Sequence, residues 1–473
     1  MLFPTIDFAL FFLVVFAASW ALYRQPAGRK TLLVAASYVF YGYWDWRFCL
    51  LLAGSSVVNW AAGRAIDALD DPRQRRIVTG LAVAANLGVL GLFKYYGFFI
   101  RSLNDLFYSI GLERELPFLE IILPVGISFF TFQGISYVVD VHRGEVRAQR
   151  SLLNVLLYIS FFPQLVAGPI VRASTFMPQI ERPRDPDRVL ATFGIVLILA
   201  GLFKKMVIAN YLATEMVDLV FLDPFFYGPV DLLLAVYGYA VQIYCDFSAY
   251  SDIAIGVAAL LGYRFPKNFD QPYRAQSLRE FWRRWHISLS TFLRDYLFIP
   301  LGGSRPDARG RTRTARNLMI TMVLGGVWHG AAWTFVFWGV LHGAGLVVER
   351  WLGLGRVDGE RSLWRRVLAG VVVFHFVCLA WIFFRAETFD IALTYLAGFA
   401  RLDAPIEFAT PFVLVLLAAG FAGQLLPPDL PARVAGRLRP LPPVALGALA
   451  GLTLAVIDAL APAGVAPFIY FQF

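Results

Sequence analysis

The sequence predicts an all-α, polytopic integral membrane protein, and three observations carry that reading. Of 473 residues, 58% are hydrophobic and only 16% charged, whereas an ordinary soluble domain is about a quarter charged. Mean hydropathy is +0.62. Apolar runs recur from end to end, at 8–23, 31–44, 77–93, 189–203, 229–245, 367–384, 411–426 and 443–461. Each approaches or reaches the roughly 20 residues with which a helix crosses hydrocarbon. Several are short or carry Gly and Pro, so roughly eleven spans are expected, with tilted or re-entrant pieces between them.

The first run resembles a signal peptide but has Asp7 where a basic region would stand. Its basic flank, Arg24, Arg29 and Lys30, follows it. An uncleaved helix with its N-terminus outside is therefore expected. Arg64, Arg73, Arg75 and Arg76 mark a return to the cytoplasm, and five arginines in the short segment 305–316 mark another. The net charge of +9 is thus largely a topology signal. The basic runs lie between spans and no nucleic-acid motif accompanies them, so nucleic acid is not an expected partner. Cys49, Cys245 and Cys378 are scattered and read as small buried hydrophobes.

No linker separates a second domain. The chain reads as one membrane-embedded domain over 1–473, with its informative motifs at 120–386 and simpler apolar helix at 405–473 after a soft boundary near 400–410. Segment 121–139 is interrupted by Pro124, Gly126, Ser128, Gln133 and Gly134, and 161–172 by Gly168-Pro169. Broken backbone at membrane depth is tolerated inside protein or beside a water-filled cavity. Packing glycines and proline kinks are the other account.

Segment 241–256 sets Gln242, Asp246, Ser248, Tyr250, Ser251 and Asp252 into an apolar stretch. Carboxylates at that depth are expensive and mark a functional or tightly paired site. Six residues apart, Asp246 and Asp252 point about 120° away from each other on one helix. Each is expected to hold an Arg or His from the segment that follows. Ser277 and Glu280 then form a capping-box pattern that starts a helix at about 278. Its expected extent is 278–294, amphipathic and lying at the membrane interface. Trp282, Trp285, His286, Leu289 and Leu293 share one face, which turns His286 inward, and Glu280 and Arg284 form an i,i+4 pair.

Two histidines are the candidate catalytic residues, His286 and His329. A buried imidazole is either hydrogen-bonded or used, because desolvating an unpartnered polar group costs several kcal/mol. If both face one solvated cavity, they supply a proton acceptor with a pKa near neutrality. For His286 a satisfied core histidine is the structural alternative. Gly325, Gly326 and Gly330 around His329 let a substrate or another backbone approach closely. His342 would lie about 20 Å away on one straight helix, so the two share no metal. His142, His342 and His375 read as structural, and no histidine has a carboxylate or thiol at zinc-like spacing, so no metal site is expected.

The runs FPQLVAGPIVR, YCDFSAYSDIAIG, FPKNFDQPYRAQSLREFWRRWHISLSTFLRDYLFIPLGG, GGVWHGAAWTFVFWGVLHG and AWIFFRAETF, in this order, resemble the membrane-bound O-acyltransferase family. The branch serving bacterial alginate O-acetylation is the nearest, and the teichoic acid D-alanyl transfer branch is more distant. The resemblance implies a ring of helices around a thin central tunnel, with His329 as catalytic residue and His286 as the second histidine of the site. It also implies acetyl-coenzyme A as cytoplasmic donor with no permanently bound cofactor, a location in the cell inner membrane, a polysaccharide acceptor and a periplasmic acetyltransferase partner.

Acyl transfer from a thioester to an alcohol needs a base and a home for the developing oxyanion. His329 suits the first; His286, a Trp or backbone N–H groups suit the second. No G-x-S-x-G elbow suggests a covalent serine relay. The expected function is therefore O-acetylation of an extracellular polysaccharide such as alginate. Rivals are D-alanyl or other acyl transfer to a cell-wall polymer, a transporter or flippase, and a non-enzymatic scaffold.

Overall fold

The computed structural model describes residues 1–112, 115–166, 168–182, 185–186, 189–306, 313–354, 362–462, 464 and 468. These residues build helices joined by short turns, with no β-strand among them. Among the described residues, six helices are long and apolar enough to cross a membrane: Arg47–Ala68, Pro72–Ser109, Ala191–Leu222, Pro229–Leu260, Leu363–Arg385 and Pro443–Leu460. Ile6–Ala21, Phe389–Gly398 and Pro411–Gly423 are apolar but shorter. All eight apolar runs of the sequence fall largely in helix, with residues 22–23, 189–190, 424–426 and 461 outside it. Of the arginine-rich segment 305–316, Arg309 and Arg311 lie outside the described residues.

Helix starts follow the expected chemistry, in which a side-chain oxygen accepts an orphan N–H and Pro takes the first helical position. Asp71 accepts from Arg73 N–H at 2.9 Å, with Pro72 opening its helix. Thr410 accepts from Val413 N–H at 3.3 Å, with Pro411 beside it.

The chain forms two compact units, residues 1–194 with 254–266, and residues 195–253 with 267–473. In the first, Arg29, read from sequence as part of the basic flank of the first helix, lies inside the protein. It is 3% exposed. Its guanidinium donates to Ser19 O at 3.1 Å, Ser19 Oγ at 2.9 Å and Leu261 O at 2.8 Å, and lies over the Trp20 ring at 4.7 Å. The charge there satisfies carbonyls at two helix ends, a favourable place for a cation. Nearby, Asn59 and Asn86 exchange amide hydrogen bonds of 3.1 and 2.9 Å between two spans, the polar glue expected where lipid gives helices no hydrophobic reason to associate. A Cβ on Gly134 would strike that pair. Gly126 has φ 74° and would place a Cβ 2.5 Å from Leu165 O. Both glycines of 121–139 therefore serve close packing.

The apolar helix Ala191–Leu222, whose residues from 195 onward belong to the second unit, carries π-helical turns at Lys204–Ala209 and Ala213–Val217. A Cβ on Gly201 would sit 2.7 Å from Ile253 Cγ1 and 2.9 Å from Ala249 O, so this helix meets Pro229–Leu260 backbone to side chain. Thr314–His329 and Trp333–Trp351 form a tight hairpin. Gly339 would bring a Cβ to 2.5 Å from Met322 O and 2.9 Å from Val323 Cα, and Gly326 would strike Phe335 O. The two backbones touch there.

Candidate active site

The approach to His286 begins with a doubly capped helix. Ser277 Oγ accepts Glu280 N–H at 3.0 Å, and Glu280 in turn takes Gln276 N–H at 2.9 Å and Arg284 at 2.8 Å. The start at 278 and the Glu280–Arg284 pair are as the spacing predicts. Glu349, from Trp333–Trp351, adds its carboxylate: Leu278 N–H donates to one oxygen and Arg279 N–H to the other at 3.2 Å.

The helix does not run to 294. It ends at Arg284, and a second helix, Ile287–Leu293, follows. Trp285 is extended, and His286 has φ 41° and ψ 58°, one of two non-glycine residues with positive φ among those described. The cause is a competing backbone pairing. Asp270 N–H donates to Arg284 O at 2.9 Å and Ile287 N–H to Asn268 O at 2.8 Å. Residues 284–287 thus lie along 268–270 instead of closing helical turns. A helix-period pattern carries no trace of partners 14 and 19 residues away.

His286 is 0% exposed. Its ring meets Phe247 edge-on at 4.5 Å, Phe269 at 6.1 Å and Trp328 at 6.1 Å. Nδ1 lies 3.2 Å from Asn268 Oδ1, and Nε2 has no partner among the described residues. His286 lies outside the six candidate spans, and burial pushes its imidazole down to about 3. It is neutral at physiological pH.

His329 is the last residue of its helix and is 3% exposed. Gly330 is extended, and the chain turns back into Trp333–Trp351. The expectation of one straight span through 342 is overturned by this turn. Trp338 touches His329 at 4.9 Å on one side and His342 at 4.7 Å on the other. His342 is therefore one indole from the site, and its Nδ1 faces Trp282 Nε1 at 3.3 Å. A Cβ on Gly330 would strike the Phe335 ring. Of the two roles left open for the glycines here, they admit another backbone and another ring. His375 has both nitrogens engaged, at 2.6 Å from the Tyr237 hydroxyl and 2.8 Å from Val371 O.

Trp328 joins the two candidate residues. Its ring lies 5.0 Å from His329 and 6.1 Å from His286. Trp338 and Phe384 (5.1 Å from His329) close the other side. This wall of rings lowers the local dielectric, which strengthens whatever hydrogen bonds a bound substrate makes.

The carboxylates of 241–256 find lysines from the preceding helix, contrary to the expectation of Arg or His from the following one. Lys205 meets Asp246 at 2.8 Å, and Lys204 meets Asp252 at 2.6 Å and Ser248 Oγ at 2.7 Å. Adjacent lysines on a helix point in different directions, as do the two carboxylates they meet. The apolar run read as ending at 203 hid them. Asn268, Glu349, Trp338 and the lysine pair were not singled out from sequence. Only a lysine doublet next to an apolar run opposite buried carboxylates was a local signal.

Taken together, these elements define a multi-pass helical membrane protein whose two site histidines share a tryptophan. The model of the membrane-bound O-acyltransferase family matches residues 125–386, which include both histidines and the Asn268–Asp270 strip. The chain belongs to the membrane-bound O-acyltransferase family. It is 43% identical over 401 residues to the probable alginate O-acetylase AlgI of Azotobacter vinelandii, covering 83% of this chain and 76% of that protein. The peptidoglycan O-acetyltransferase of Helicobacter pylori is 36% identical over 80% of this chain and 75% of its own. The teichoic acid D-alanyltransferase of Bacillus subtilis is 28% identical over 63% of this chain and 79% of its own. The chain is an O-acyltransferase of the multi-pass membrane class, and its O-acetylating relatives support membrane O-acetyl transfer.

Proposed function

We propose that this protein takes acetyl groups from cytoplasmic acetyl-coenzyme A and passes them across the cell inner membrane for O-acetylation of an extracellular polysaccharide such as alginate. Delivery runs through a periplasmic acetyltransferase partner. The reading includes the ring of about eleven helices around a central tunnel, through which donor and acceptor meet. Its chief support is the placement of His286 and His329 against one indole. The higher identity to alginate O-acetylases than to the D-alanyltransferase favours acetyl over D-alanyl.

In this mechanism the acceptor hydroxyl attacks the thioester carbonyl. A C–O bond forms, the C–S bond breaks, and His329 carries the hydroxyl proton to the departing sulfur. General-base help of this kind is worth roughly 10²–10⁴-fold. His329→Ala is therefore expected to lower consumption of labelled acetyl-coenzyme A by purified protein at least 100-fold, with the protein still folded and in the membrane. Turnover retained in that variant would overturn the assignment of the base. Turnover with a D-alanyl thioester but not with acetyl-coenzyme A would overturn the acyl group.

A further inference from the structure

We infer that Asn268 is the positioning residue of the second histidine: it holds the His286 ring in the Nδ1–H tautomer and leaves Nε2 as a hydrogen-bond acceptor. The inference deepens the function proposed above and rests on it for the identity of the reaction. The tautomer itself follows from geometry.

Asn268 Oδ1 accepts Ser288 N–H at 3.1 Å. A backbone N–H is always a donor, so the atom facing it is the amide oxygen and not the nitrogen. The other end agrees: Asn268 Nδ2 donates to Ser251 Oγ at 3.0 Å. Ser288 Oγ also donates to Oδ1, at 2.8 Å. An oxygen that can only accept thus stands 3.2 Å from His286 Nδ1; the Ser288 hydroxyl, 3.4 Å from Nδ1, spends its one hydrogen on the shorter bond to Oδ1 and is there an acceptor too, so Nδ1 carries the hydrogen. In a neutral imidazole the other nitrogen then holds the lone pair. Nε2 is buried and unpartnered among the described residues.

Asn268 performs a second task that explains why a histidine can occupy position 286. His286 stands at the N-cap of Ile287–Leu293 and makes no side-chain cap bond. Asn268 caps from outside: its O takes Ile287 N–H and its Oδ1 takes Ser288 N–H. The imidazole is thereby released from capping. One consequence bears on mechanism. A neutral His286 of this tautomer has no Nε2–H to offer an oxyanion. It accepts a hydrogen bond, and so is suited to orient the acceptor hydroxyl or relay its proton. Oxyanion stabilisation falls to other donors.

The test uses full-length protein in bilayers, with histidine labelled by ¹⁵N; the chain has only 5 histidines, and a His286→Gln difference spectrum assigns the signal. The wild type is expected to show a protonated Nδ1 and a bare Nε2 between pH 5 and 8. Asn268→Asp keeps the helix cap but puts an anion against Nδ1–H. The groups packed directly on the ring are Phe247, Phe269 and Trp328, none of them charged. Beyond them stand Tyr244 on Phe269, Asp246 paired with Lys205, and His329 across Trp328. The new carboxylate should therefore dominate, moving His286 protonation and the acid limb of kcat/KM upward by at least one pH unit. Asn268→Ala should mix the two tautomers and lower kcat/KM at least tenfold. Wild-type ¹⁵N signals in both variants, or a bare Nδ1 in the wild type, would overturn the inference. The nitrogen spectra decide it even if His329→Ala shows the reaction to be something else.

Discussion

His286 occupies left-handed backbone that costs a residue with a Cβ roughly 1–2 kcal/mol. Hydrogen bonds from Ile287 and Ser288 to Asn268 offset it. Held strain of this kind is found where structure is being used to aim a group. The buried ring also makes a thermodynamic prediction. Its folded pKa of about 3 lies below the ordinary 6.5, so between those values the unfolded chain binds more protons at this site. The contribution to stability is complete above pH 6.5 and is lost as pH falls toward 3. Melting of the wild type in detergent should therefore decline more steeply from pH 6.5 to 4.5 than melting of His286→Gln. Parallel curves would contradict a neutral ring at 286. Both candidate histidines stand out in the sequence because polar groups are conspicuous in apolar text. The residue that orients one of them was not, since Asn268 acquires its meaning only when residues 268–270 pair with 284–287.

Helices were legible where their cause is local. Apolar runs and caps such as Asp71-Pro72 and Thr410-Pro411 act within a turn or two, and the structure follows them. The misreadings fall where distant chain intervenes: the break at 285–286, the turn after His329, and the partners of Asp246 and Asp252. The Lys205–Asp246 pair is nearly sealed, with side chains 2% and 3% exposed. Removing one member of a buried pair typically costs about 3–5 kcal/mol, whereas replacing both with apolar residues is often neutral. Lys205→Met alone should lower thermal stability severely, and Lys205→Met with Asp246→Leu should recover most of the loss. A double variant no better than the single one would assign the pair a role beyond mutual neutralisation.

Across the whole molecule, composition alone separates a membrane protein from a soluble one, and family membership accords with it. Charge at loop ends carries the orientation, though Arg29 shows that an arginine near a span can belong to the interior. Arg73 and Arg76 are exposed, while Arg75, Val78 and Thr79 in the same two turns of Pro72–Ser109 are half-buried. With Cys49, Cys245 and Cys378 replaced, a cysteine at Arg73 should react with an impermeant thiol reagent only from the cytoplasmic side. Labelling from the outside would invert the proposed topology and with it the side from which donor enters. The close contact of Gly326 with Phe335 O, and of Gly339 with Met322 O, has a last consequence. Close-packed main chain is nearly incompressible, and bilayers differ in thickness by a few ångströms. Tilt and local lipid adjustment absorb that variation, while the hairpin, packed main chain against main chain, keeps its internal geometry and with it the setting of the His329 ring.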